Sequence, residues 1–114
     1  MISKELLGVV LSNYGITDVY PSYDESDVMT AVGYEIEEIV FEINIYELAH
    51  KCKKWAASES VLLESRIDKT VVKPSRCSVV NYITGQELVL IHAQTEPAAI
   101  MEACQWVLDN KDKQ

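Results

Sequence analysis

Apolar residues near the start of the chain recur at three- and four-residue steps (Leu6, Val9, Val10, Tyr14), the spacing of one helical face. Ser3 stands where an N-cap belongs and Gly15 where a left-handed C-cap does, so a first helix is expected from Ile2 to Tyr14, weakened by Gly8. Residues 16–29 carry Pro21, Ser22, Asp24, Glu25, Ser26 and Asp27 and read as loop around a short extended piece at Ile16–Tyr20. From Thr30 to Ile43 apolar and polar residues alternate, but the phase slips. Tyr34 and Ile36 share one parity, while Ile39, Phe41 and Ile43 share the other. A strand cannot change its buried face without a turn or a bulge. We therefore place a turn at Glu37-Glu38 between two antiparallel strands, with one bulged strand as the alternative.

Asn44 caps the clearest helix of the chain. Ile45, Leu48, Ala49, Cys52, Trp55 and Ala56 form one apolar stripe, and Glu47, His50, Lys51 and Lys54 take the opposite face. Glu47 and Lys51 stand in the favourable order for an ion pair one turn apart. This helix should lie flat on a sheet. Val61–Ile67 contains a strand, and Pro74-Ser75 marks a loop. Cys77–Tyr82 and Glu87–Ala93 flank Thr84-Gly85, a hairpin signal, and Leu88–Ile91 is apolar on both parities, as in a strand covered on both faces. A last helix starts near Thr95 with Pro97 in its first turn. Ile100, Ala103, Cys104 and Val107 form its buried stripe, Trp106 lies on its flank, and Asp109–Gln114 is a polar tail expected to fray. The whole pattern predicts one α+β domain over residues 1–114, in the order α-β-β-α-β-β-β-α. Its sheet should be mostly antiparallel, of about five strands, with the helices packed on one face.

Composition agrees with a single domain: 114 residues, 48% hydrophobic and 25% charged. Cys52, Cys77 and Cys104 show no Cys-x-x-Cys spacing, so neither a zinc ribbon nor a disulfide framework is expected. No apolar run approaches the roughly 18 residues of a membrane span, and no convincing signal peptide opens the chain. The expectation is a cytoplasmic protein that does not engage membranes. The net charge of −8 is unevenly placed, with no Lys or Arg between Glu5 and His50 and seven cations between Lys51 and Arg76. An acidic domain repels phosphate backbones, so no nucleic-acid partner is expected. Solubility is the plain meaning of such a charge, and imitation of nucleic acid by the acidic half is an alternative.

Residues with chemistry are few. His50 lies on the wet face of its helix, and Glu47-x-x-His50 lacks the second copy and further glutamates of a di-iron bundle. With a two-residue turn at Thr84-Gly85, Cys77 falls directly opposite His92, which permits a thiol–imidazole contact. A one-residue change in the turn abolishes it, and a buried structural cysteine is the simpler reading. Cys52 and Cys104 read as small core residues. Asp24, Glu25 and Asp27 lack the pattern of a calcium loop, and no phosphate-cradling glycine loop or Gly-x-Ser-x-Gly elbow is present. Lys51, Lys53 and Lys54 suit an acidic partner or simply a solvated face. No catalytic residue, metal ligand or cofactor is expected. A non-enzymatic protein-binding module is the leading expectation, with a protein partner and a homodimer as its associations. The alternative is a small enzyme or ligand-binding domain holding an apolar ligand between the helices of Trp55 and Trp106, with Cys77 and His92 as further candidates.

Two segments, EINIYELAHKCKKWA (Glu42–Ala56) and TEPAAIMEACQWVL (Thr95–Leu108), resemble small uncharacterised proteins of bacterial phages and other mobile elements. The resemblance covers about a quarter of the chain. It implies an accessory role in a mobile element and carries no activity.

Overall fold

The phase slip after Ile36 is a two-residue turn. Glu37 and Glu38 both have positive φ, 50° and 66°, the backbone of a type I′ hairpin. In the computed structural model, which describes residues 2–68 and 72–111, this turn joins β2 (Met29–Ile36) to β3 (Ile39–Asn44). The two parities of the sequence then fall on one face, because Ile36 pairs with Ile39, Tyr34 with Phe41 and Val32 with Ile43.

A third strand precedes them. β1 (Ile16–Tyr23) pairs antiparallel with β2 along its length, so the loop expected over residues 16–29 shrinks to Asp24–Val28. There the Asp24 carboxylate accepts from the Ser26 and Val28 N–H groups at 2.8 and 3.1 Å. Pro21 is accommodated because β1 is an edge strand, where a sheet tolerates a missing N–H. The remaining strands, β4 (Val61–Ile67), β5 (Ser75–Asn81) and β6 (Glu87–Ala93), form a second antiparallel meander. The expected single sheet of about five strands is thus corrected to two three-stranded sheets, in the order α-β-β-β-α-β-β-β-α.

Three helices complete the order: α1 (Lys4–Leu11), α2 (Ile45–Ser58) and α3 (Glu96–Asn110). Ser3, Asn44 and Thr95 cap them, each side chain accepting a first-turn N–H. Ser3 also donates to Gln105 at 2.9 Å, tying α1 to α3. α1 is shorter than expected. It ends not at Gly15 but at Ser12, whose φ of 55° supplies the left-handed cap. The end of α3 also differs, since Asp109 and Asn110 are helical rather than frayed; residues 112–114 of the expected tail lie outside the described residues.

α2 and α3 run side by side in parallel: Cys104 meets Cys52 and Lys111 meets Glu59, both 52 residues apart. They cover the β4–β6 sheet, and α2 continues to the β2–β3 end of the other, where α1 joins it. The Cα trace measures 43 × 35 × 19 Å. Layers pack about 10 Å apart, so this thickness fits helices on one side of the sheets and not between them. Among the described residues the core is apolar apart from Ser75. Leu6, Leu7, Val32, Leu48, Val61, Val79 and Val107 are fully buried, and the three cysteines fill small gaps among them. β6 is a half-buried edge strand rather than one covered on both faces, with a register irregularity opposite Val79–Val80.

Candidate functional site

The structure does not bring Cys77 and His92 together. The hairpin at Thr84-Gly85 is longer than two residues: Asn81 accepts from Gly85 N–H at 2.9 Å, and its side chain from Ile83 and Thr84 N–H. Together with the irregularity at Val79–Val80, this shifts the pairing by one. Cys77 lies opposite Ile91, and His92 lies opposite Arg76. Cys77 therefore faces the core while His92 faces solvent, and the proposed thiol–imidazole contact does not exist. Burial pushes the Cys77 thiol from its ordinary 9.0 up to about 11, with Lys53 opposing and Glu96 reinforcing the shift. Cys104 is raised as well, first by its hydrogen bond with Cys52 and then by burial. Thiols so protonated are poor nucleophiles.

Trp55 and Trp106 sit half-buried on the flanks of the core. Between their helices the Cys104 thiol donates to the Cys52 carbonyl at 3.6 Å, a direct contact that leaves no room for a ligand at that level. Trp55 has a local partner instead: Lys111 Nζ lies 5.9 Å from its ring centroid and 3.2 Å from Glu59. His50 is exposed on α2, and Lys53 is turned toward β4, where it donates to Ser65 at 3.1 Å.

What the fold does bring together is the inner face of the first sheet. Its three cross-strand apolar pairs form a ladder, and the helices cover only the first rung. Val32 and Ile43 are 0% and 6% exposed, but Phe41 is 43% and Ile39 is 59% exposed. Tyr34 stacks on Phe41 with ring centroids 5.5 Å apart and planes 19° from parallel. α1 stops at Leu11, at the side of this face, and does not cover the hairpin end. The result is a groove of about 370 Å³, walled by Tyr34, Phe41 and Ile36, with Leu11 on one side and Glu47 and Lys51 on the other. The ion pair expected between Glu47 and Lys51 is not formed, and both charged groups line the groove.

Two smaller cavities share Met29, Ala98 and Met101 as lining, with Ile2 at the end of one and Tyr23 in the other. At 180 and 150 Å³ each falls below the roughly 300 Å³ at which small-molecule sites begin.

No family model matches the chain, and no curated protein or solved structure is significantly similar to it. The site is read from its geometry alone. Among the described residues no three His, Cys, Asp or Glu side chains gather as metal ligands, and no helix is long and apolar enough to cross a membrane. Charge is distributed differently on the two sheets. The outer face of the first sheet carries Asp18, Glu35 and Glu42, with Tyr20 lying across Gly33, where an added Cβ would meet the Tyr20 carbonyl at 3.3 Å. A hydrogen bond with Asp18, with the Glu35 charge nearby, raises the Tyr20 hydroxyl above its ordinary pKa. The outer face of the second sheet carries Arg66, Arg76 and His92 in one cross-strand row, with Asp68 3.4 Å from Arg76 and with Glu64 and Glu87 on the same face.

The groove residues Leu11, Tyr34, Ile36 and Phe41, and Ile39 paired beside Ile36, were visible in the sequence as apolar positions but not as a site. Strand parity says which face is apolar; it does not say where the covering helix stops.

Proposed function

We propose that the chain is a non-enzymatic protein-interaction module that receives an apolar segment of another polypeptide in the groove between α1, α2 and the β2–β3 hairpin. One observation carries this reading: the apolar ladder of the first sheet continues past its helical cover, leaving Phe41 and Ile39 in water. A contiguous exposed apolar patch is unfavourable in a solitary chain, and a partner covering it recovers about 25 cal/mol for each Å² buried. Lys51 and Glu47 give the groove a cationic and an anionic contact on its α2 side, and Asn13 and Glu42 add polar lining, which together supply orientation to a segment held by the apolar wall. The resemblance of the α2 and α3 segments to mobile-element proteins supports an accessory role in that setting.

The test is selection of a random-peptide display library on the full chain and on two variants, Ile39→Asp and Lys51→Glu. The expected outcome is enrichment of peptides with closely spaced apolar residues, lost on Ile39→Asp and altered in charge preference on Lys51→Glu. Enrichment that is absent, or indifferent to both substitutions, rejects the groove.

A further inference from the structure

We infer that the partner at this face includes a second copy of the chain, joined through the free edge of β3 to make one six-stranded sheet across a two-fold axis. The inference rests on the reading of the groove as an interaction site and names one occupant of it. β3 differs from the other edges. β1 carries Pro21 and two register irregularities, β6 lies beside the irregularity at Val79–Val80, and β4 sets Glu64 and Arg66 on its outward side. These are the devices that keep edge strands from pairing. β3 carries one charged side chain, Glu42, but its six residues pair with β2 without interruption, it has no proline, and Ile39, Val40 and Phe41 form an exposed apolar run.

The hairpin also fixes which groups are free. In a two-residue type I′ turn the flanking residues, here Ile36 and Ile39, form a hydrogen-bonded pair, and such pairs alternate along the ladder. Tyr34–Phe41 and Val32–Ile43 are then bonded, so Val40 and Glu42 point their N–H and C=O groups to the open edge. A two-fold axis at Phe41 sets Val40 opposite Glu42 of the second copy, and those two residues exchange both bonds. Phe41 meets its own mate as a non-hydrogen-bonded pair, and Ile39 meets Ile43. The two grooves become one trough. No charged side chain is placed directly opposite its like, which a centre at Val40 would do by facing Glu38 with Glu42.

Light scattering on the full chain across a concentration series should give about twice the 12.9 kDa chain mass. Val40→Pro removes an N–H that the β2–β3 ladder does not use, so it should raise the dimer Kd roughly a hundredfold while circular dichroism stays unchanged. Phe41→Cys places two thiols about 4.5 Å apart at Cα, within disulfide range, and should crosslink under mild oxidation against a background of buried native cysteines. A monomer at every concentration, or a dimer in which Phe41→Cys does not crosslink, overturns the inference. Val40 lies on the face opposite the groove. Peptide binding that persists in a monomeric protein therefore rejects the dimer alone, and a dimer that selects no peptide rejects the groove reading alone.

Discussion

Cys77 sits at the middle of β5, directly under α3, and its thiol is the strongest chemical prediction at the scale of single residues. With its pKa raised from 9.0 to about 11 by burial, it stays protonated at neutral pH. Iodoacetamide at pH 8 should leave it unmodified in the native chain and label it once denaturant is added, as mass spectrometry would show; native labelling would mean that the strand opens locally. The same shift bears on stability. The fold favours the protonated thiol, so this contribution is intact below pH 9 and is lost as pH rises from 9 toward 11. Melting temperature should fall across that window, and less steeply in Cys77→Ala. The remaining slope belongs in part to Cys104, which is shifted in the same direction.

Elements show where a sequence reading succeeds and where it stops. Ser3 and Asn44 were readable as caps, and Thr95 as the start of the last helix, because capping is settled within one turn of chain. The Glu37-Glu38 turn was readable because parity cannot change without a turn or a bulge. β1 was legible only as a short extended piece at Ile16–Tyr20, since proline, serine and aspartate mark loops by composition, yet an edge strand admits them. The pairing of Cys77 was misplaced by one residue because the turn is longer than two residues and a bulge leaves no trace in the alternation. The turn itself is open to a test. Two glutamates in left-handed conformation carry a steric cost that Asn-Gly avoids, about 1 kcal/mol or more for the pair. Glu37→Asn with Glu38→Gly should raise the melting temperature by roughly 5 °C. The natural residues have another use at that tip. They place two charges beside the exposed Ile39-Val40-Phe41 run, as gatekeepers against uncontrolled aggregation. The stabilised variant should therefore precipitate sooner on heating than its melting temperature suggests, measured as turbidity beside calorimetry.

At the scale of the whole molecule, charge decides between two ways for copies to meet. One buries the β3 edges. It brings together two chains of net charge −8, and it gathers Glu35, Glu37, Glu38 and Glu42 of both copies near the two-fold axis. The other stacks the acidic outer face of one first sheet on the Arg66–Arg76–His92 row of a neighbour's second sheet. Salt acts on them with opposite sign. Screening shortens from about 30 Å at 0.01 M to about 10 Å at 0.1 M, which removes repulsion in the first case and attraction in the second. An edge-paired dimer held by backbone hydrogen bonds and apolar side chains should tighten as salt rises over this range. Sedimentation equilibrium at the two ionic strengths reads the difference directly. A dimer that loosens with added salt would assign association to the charged faces, and the uncovered ladder of Tyr34, Phe41 and Ile39 would remain free for a different protein.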